Sequence, residues 1–421
     1  MNKTICVLLL TVMPAMVFAG DLTDTSTAIF DPAFRTLQVE VDGDPYAPDV
    51  IVSGDDADRI VISFDELASD RRYMRYQLIH CDRDWQPEQL VDSEFIDGFN
   101  EAPVEDYRYS RATLVQYVHY TIRIPDENMR ITAPGNYLVR VYDENDPDET
   151  LLQARFGVCD FSMDARATVS SRTDIDTNLS HQQLDVTVDT KHTTVRDMFG
   201  DIYVTVSQNG RVDNTVTVNR PLRVNAGVQV YEHNRDLIFP AGNEYRRVEP
   251  ISTRYPGMGV ENIEYHAPVY QITLATDGAR NRSGYLFDST QHGRYLVREY
   301  NSTDSDVEAD YVMVHFALEV PRMENADVFL DGDFVMRRFD PTSRMVWNHA
   351  TGRYETSLLL KQGAYNYQYL TVPTGSMTGT TSPVEGDYYE TVNEYEIRVY
   401  HRPPGTRYDR LVGITTATSG R

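Results

Sequence analysis

Short runs in which apolar and polar residues alternate recur along almost the whole chain. In one of them, Tyr120, Ile122 and Ile124 alternate with Thr121 and Arg123. A period of two places the apolar side chains on one face and is typical of half-buried β-strands. Helical periodicity is almost absent, so the pattern predicts an all-β protein. Similar runs lie at residues 37–41, 184–189, 202–206 and 395–400.

Turn sequences separate the predicted strands and divide the chain into three candidate domains. Pairs such as Asn209-Gly210 and Asp331-Gly332 favour tight turns. Short strands joined by such turns are typical of β-sandwiches. We therefore predict three consecutive immunoglobulin-like sandwiches. Their predicted limits are residues 20–160, 161–300 and 307–414, with a polar linker at 301–306 and a disordered tail at 415–421.

The first 19 residues have the features of a secretion signal. Lys3 precedes an apolar stretch, which ends in the small or permissive residues Val17, Phe18 and Ala19. The stretch contains Pro14 and is shorter than the ~20 residues that a spanning helix needs. We predict cleavage after Ala19 and a mature protein in the periplasm.

The charge of the chain excludes some classes of partner. The formal net charge is -25, and removal of the predicted signal, with one lysine and no acid, would make it -26. Nucleic acids and anionic membranes attract basic surfaces, so neither is an expected partner. A partner with a basic surface fits better.

Cleavage after Ala19 would leave two cysteines, Cys81 and Cys159. An oxidising compartment would allow a disulfide between them. Two buried thiols are the alternative, and the spacing does not decide between them.

Patterns that carry catalysis are missing from the sequence. It contains no His-Glu-x-x-His, Gly-x-Ser-x-Gly, P-loop or Cys-x-x-Cys motif, and its 10 histidines are scattered without ligand spacing. Acidic loops at residues 55–58 and 143–148 offer oxygen ligands but lack a full calcium motif. We predict a binding protein without a catalytic site, cofactor or metal.

The third predicted domain suggests an alternative function. Its strands and hairpins resemble early-set immunoglobulin-like domains, which include starch- and glycogen-binding modules. Exposed aromatic rings in such a domain would stack on sugars, which would make the chain a periplasmic or surface glycan-binding protein. Because three of the rings alternate along one strand, they fit a buried core equally well. The aromatic residues concerned are Trp347, Tyr354, Tyr365, Tyr367 and Tyr369.

A set of long motifs carries a more specific resemblance. The densest part is YMRYQLIHCDRDWQP at residues 73–87, preceded by ISFDEL at 62–67. Toward the carboxyl end follow LKQG at 360–363, EGD at 385–387, ETVNEY at 390–395 and YDRLVG at 408–413. Together they resemble the plug protein family of the type IX secretion system of the Bacteroidetes, over nearly the whole chain after residue 19.

The resemblance implies a function. Plug proteins of this family sit at the periplasmic end of a very large outer-membrane β-barrel translocon and close its pore when no substrate fills it. We expect the contact on the first domain, with Asp82, Asp84, Trp85 and Gln86 as partner-binding candidates. Asp82 and Asp84 would alternatively cap the turn before Trp85. An adaptor that escorts secreted substrates of the same system is a further alternative.

Overall fold

The computed structural model describes residues 24–42, 44, 46–54, 58–191 and 193–419. The predicted signal peptide and residues 55–57 of the first acidic loop lie outside the described residues. Nearly all regular structure in the described part is β, so the all-β prediction is confirmed. None of the described helices combines the length and the apolar character needed to span a bilayer.

The first domain packs two β-sheets around one apolar core. Ile62 and Phe64 are fully buried on one strand, and Ile122, paired with Ile62, is buried on the next. The larger sheet has the strands Ala28–Ile29, Asp146–Cys159, Gly135–Asp143, Met74–Cys81 and Ala102–Pro103, with Val50–Val52 parallel to Asp146–Cys159. The smaller sheet has the strands Phe34–Val41, Ile60–Glu66, Val118–Ile124 and Asp106–Tyr109, and a separate ribbon pairs Ile96–Gly98 with Met129–Ile131.

The second domain combines two distant parts of the chain. Ile202–Gln208 pairs in register with Glu394–His401, and buried residues of both share one core with the facing sheet. The first sheet has the strands Asp164–Ser170, His181–Asp189, Val228–Tyr231 and Arg223–Asn225, with Ile238–Pro240 beside His181–Asp189. The second sheet has the strands Val216–Val218, Ile202–Gln208, Glu394–His401 and Arg410–Thr418.

The third domain is inserted between these two parts of the second and has its own core. One sheet has the strands Arg246–Val248, Gly363–Pro373, Tyr295–Val297 and Ala326–Asp331. The other has the strands Val260–His266, Val269–Leu274, Tyr311–Glu319, Arg353–Lys361, Val346–Asn348 and Asp277–Gly278. Helical turns are short: an α-helix at Ser305–Glu308, and 3-10 turns at Asp92–Glu94, Arg235–Leu237 and Asp333–Val335.

The pairing of the last two strands differs from the domain limits that the sequence predicts. Residues 307–414 are not one continuous domain in the sheets, because Glu394–His401 and Arg410–Thr418 complete the second domain. Alternation identifies a strand and its buried face, but it does not identify the partner strand. The predicted disordered tail is wrong for residues 415–418, which continue the last strand and end opposite Glu394.

Cys81 and Cys159 are buried free thiols. They end two strands that lie on opposite sides of Gly135–Asp143. Two strand spacings separate the backbones by about 9–10 Å, beyond the roughly 7 Å limit between Cα atoms for a disulfide. Burial raises the pKa of both thiols to about 12, which makes them unreactive.

Candidate functional site at the three-domain junction

The three domains meet around a cleft of about 480 Å³, which we call the central cleft. Charged side chains from every domain line it. Those that matter below are Asp49, Arg155, Arg294, Arg337, Glu396 and Arg398. The contacts that hold the domains together involve the motifs that carry the family resemblance.

The turn at residues 82–86 brings the densest motif to the edge of the central cleft. A carboxylate oxygen of Asp82 accepts hydrogen bonds from the backbone N–H groups of Asp84 at 2.9 Å and Gln86 at 2.8 Å. These bonds hold Trp85 in a left-handed conformation with φ of 63°, which is unusual for a residue other than glycine. Asp82 therefore caps the turn, as the structural alternative predicts.

Arg83, in the same turn, joins the first domain to the second. Its backbone N–H and its guanidinium both donate to one carboxylate oxygen of Asp409, at 3.0 and 2.9 Å. Asp409 is fully buried and also accepts from Arg402 at 3.2 Å. The guanidinium carbon of Arg83 lies 3.8 Å from the ring centroid of Tyr203. Two motifs that are far apart in sequence thus bind each other.

Trp85 contacts arginines of two domains. The guanidinium carbon of Arg155, from the first domain, is 4.4 Å from its ring centroid, and that of Arg398, from the second, is 5.7 Å away. Such cation–π contacts are worth about 0.5–2 kcal/mol each, depending on burial. The indole therefore stabilises the contact between these domains as well as forming a wall of the cleft.

A buried ion pair joins the first domain to the third. The ammonium of Lys361 lies 2.6 Å from a carboxylate oxygen of Asp65, and both side chains are almost completely buried. The hydroxyl of Tyr311 donates to the same oxygen at 2.7 Å, and His119 lies 2.7 Å from the other oxygen. Although burial alone would raise it, the charge of Lys361 and the contact with His119 lower the pKa of Asp65.

The predicted linker at residues 301–306 also binds the first domain. Asp304 accepts two hydrogen bonds from Arg108, at 2.9 and 3.0 Å, and one from Arg111 at 2.9 Å. Just beyond it, Asp310 accepts from the backbone N–H groups of Leu114 and Val115, at 2.7 and 3.0 Å. This segment therefore fixes the third domain against the first.

The ETVNEY motif forms hydrogen bonds inside the second domain and one contact with the third. The buried amide of Asn393 donates to Gln182 at 3.0 Å and to the carbonyl of Ala241 at 2.8 Å. Glu394 accepts from Arg294 of the third domain at 2.6 Å. The motifs at residues 62–67, 73–87, 360–363, 390–395 and 408–413 therefore all contribute to domain junctions.

The four predicted partner-binding residues are adjacent but differ in exposure. Asp84 and Gln86 are exposed, whereas Asp82 and Trp85 are half-buried. Sequence reasoning missed Lys361 as a junction residue. The sequence does carry one indication of this role: Lys361 directly follows the apolar run Leu358 to Leu360. An unpaired lysine at such a buried position would be unfavourable.

The aromatic residues considered for sugar stacking are mostly unavailable. Tyr365, Tyr367 and Tyr369 are no more than 2% exposed. The hydroxyls of Tyr367 and Tyr369 donate to Asp277 at 2.7 and 2.8 Å. These rings belong to the core of the third domain, so the glycan hypothesis loses its main sequence support.

The stability of the protein should depend on pH through Asp49. Burial, with Glu396 nearby, raises the pKa of Asp49 to about 7. A carboxyl whose pKa is raised on folding stabilises the folded state below its unfolded pKa of about 3.9, and this contribution is lost as the pH rises through the folded pKa. Asp49→Asn should therefore raise the free energy of unfolding by about 1–3 kcal/mol at pH 8 and by little at pH 4. Urea unfolding at both pH values measures this, with the exposed Asp236→Asn as a control; equal effects at both pH values would contradict it.

The fold and the junction define an all-β protein built as one interlocked body of three domains. A family model, described as the first domain of the type 9 secretion system plug protein, matches residues 34–160. Residues 34–160 therefore form a first domain of the type 9 secretion system plug protein family. The match associates the chain with type IX secretion and with the cell envelope.

One solved structure shares the fold over nearly the whole chain. A hypothetical protein from Parabacteroides merdae is 41% identical with a TM-score of 0.92, and the match covers 94% of this chain and 100% of that chain. An alkylpurine DNA glycosylase from Pseudomonas fluorescens is 19% identical over 30% of this chain and 29% of its own, with a TM-score of 0.17. The latter similarity is too low to carry an argument. No curated protein matches the sequence.

Proposed function

We propose that the protein binds the periplasmic end of the large outer-membrane barrel of the type IX system and closes its pore when no substrate fills it. Family membership supports this function, and so does the interlocked body. The observation that carries the proposal is the set of junction contacts, with the buried Lys361–Asp65 pair at 2.6 Å as its centre. Closing a wide pore requires a body that does not bend.

The dimensions and charge of the body fit this function. A compact chain of this length has a radius of gyration of about 22 Å, which offers a broad face to a barrel rim. A stable contact needs at least about 1,000 Å² of buried surface in total. The net charge of -25 favours a basic rim on the barrel, so the complex should weaken as salt rises.

The contact is proposed on the first domain, at the exposed side of the turn at residues 82–86. Asp84 and Gln86 present polar side chains there, on a backbone that Asp82 and Trp85 hold in place. Because this turn is fixed against the second domain, it offers a partner a preformed surface, which lowers the entropic cost of binding.

A permeability measurement tests pore closure. Cells that lack the protein should admit a hydrophilic antibiotic that is too large for ordinary porins, and the complementing wild-type gene should restore exclusion. The control is a strain that also lacks the translocon barrel, in which the leak should disappear. Unchanged permeability together with lost secretion would contradict pore closure and favour an adaptor that escorts substrates.

A further inference from the structure

We propose that the central cleft binds one carboxylate group, held by Arg155 and Arg398 beside the indole of Trp85. The site lies beside the turn at residues 82–86, and its binding of a carboxylate is tested separately from the proposed translocon contact. The carboxylate would bridge the first domain, which carries Arg155, and the second, which carries Arg398.

Arg155 provides the uncompensated charge. Among the described residues it has no carboxylate within ion-pair distance, and its guanidinium donates only to the backbone carbonyl and hydroxyl of Thr25, at 2.6 and 3.4 Å. Burial and the nearby charge of Arg398 lower the pKa of Arg155 to about 10. A half-buried cation without a counter-ion is unfavourable, and an anion in the cleft would relieve it.

Arg398 provides a free donor beside it. Its Nε donates to Glu396 at 2.5 Å, but its Nη1 is buried and has no hydrogen-bond partner among the described residues. The side chain is only 14% exposed. A buried donor of this kind is satisfied by an oxygen that enters the cleft.

The remaining charges indicate an anion with a single charge. Other arginines that line the cleft are already paired: Arg294 with Glu394 at 2.6 Å, and Arg337 with Asp333 at 2.7 Å. Arg155 is thus the cleft arginine without a carboxylate partner among the described residues. Because Glu40 and Asp49 also line the cleft, a singly charged carboxylate suits it better than a doubly charged phosphate does. Planar carboxylates also suit the geometry of arginine.

The cleft has room and a rigid wall for such a ligand. Its volume of about 480 Å³ exceeds the space of one amino acid residue and lies in the usual range of small-ligand sites. Trp85 is fixed by the Asp82 turn and by the two guanidinium groups. The carboxylate could come from a free metabolite or from an acidic side chain of a polypeptide, and the chemistry of recognition is the same.

Fluorescence tests the proposal because the sequence has only two tryptophans, Trp85 and Trp347. Full-length protein with Trp347→Phe should show a saturable change of Trp85 emission when titrated with N-acetyl-aspartate amide at pH 6. The neutral isostere, N-acetyl-asparagine amide, should give no saturable change. Arg155→Gln should weaken binding by about tenfold or more, whereas Arg223→Gln, at an exposed pair with Glu232, should not affect it.

Arg155→Lys keeps the charge without the planar fork and should weaken binding less than Arg155→Gln. Circular dichroism checks that each variant is folded. The comparison of the two blocked amino acids uses protein that retains Arg155, so it does not depend on that check. Equal responses to both compounds, or unchanged affinity in folded Arg155→Gln, would overturn the proposal. Tighter binding of an acidic peptide than of acetate would assign the carboxylate to a polypeptide, and the reverse to a metabolite.

Discussion

Lys361→Met is expected to lower the free energy of unfolding by about 3–5 kcal/mol, the usual cost of leaving one partner of a buried ion pair uncompensated. The substitution leaves the carboxylate of Asp65 without a counter-charge. This carboxylate is fully buried and lies 2.6 Å from the ammonium of Lys361 in the wild type. Tyr311 and His119 would remain as hydrogen-bonding partners without replacing the positive charge of Lys361. Because the pair joins the first domain to the third, the loss should also loosen that junction.

Urea unfolding at neutral pH measures the effect. The matched control is Lys191→Met, which removes an exposed pair with Asp164 and should cost no more than about 1 kcal/mol. The double variant Lys361→Met with Asp65→Leu removes both charges and should recover part of the loss. Similar losses in Lys361→Met and Lys191→Met would contradict the structural importance of the buried pair.

The same pair has an acid dependence. The pKa of Asp65 is lowered in the folded protein, so its contribution to stability is present above its unfolded pKa of about 3.9 and is lost as the pH falls through the folded pKa. The difference between wild type and Lys361→Met should therefore shrink in strong acid.

Asp409→Ala should separate the first and second domains, at a cost of about 2–4 kcal/mol. Asp409 is fully buried and accepts from the backbone and the guanidinium of Arg83, and from Arg402. Without it, the turn that holds Trp85 loses its attachment to the second domain. The emission of Trp85 should shift to the red as the indole gains water.

Limited proteolysis and Trp85 fluorescence in a Trp347→Phe background measure this opening. Asp327→Ala is the control, because Asp327 pairs with Arg344 at an exposed site within the third domain. Cleavage between the domains should accelerate only in Asp409→Ala. If both variants resist protease as the wild type does, the Arg83–Asp409 contact does not hold the junction.

The sequence predicted the strands far better than their partners. The alternation around Ile122 reflects a physical requirement, since one face of that strand is buried. The local sequence does not indicate that residues 202–208 pair with residues 394–401, because the same alternation would suit any neighbouring sheet. The pairing depends on how the third domain is inserted, which is a property of the whole chain.

The candidate site also combines features that the sequence predicts with features that it does not predict. The capping of the turn by Asp82 was open to sequence reasoning, because aspartate often bonds to backbone N–H groups just beyond itself. The contact of Lys361 with Asp65 was not, since the two residues are 296 positions apart. A charged residue inside an apolar run indicates that an oppositely charged residue must lie near it in the fold. The run itself does not identify that residue.

An affinity pull-down from detergent-solubilised envelopes, identified by mass spectrometry, tests the central claim most directly. The tagged wild-type protein should recover one very large outer-membrane barrel without secreted cargo. Asp84→Ala with Gln86→Ala should recover less of it, while the exposed Asp236→Ala should recover as much as the wild type. Recovery of no barrel, or of cargo or polysaccharide-handling proteins in its place, would contradict the account.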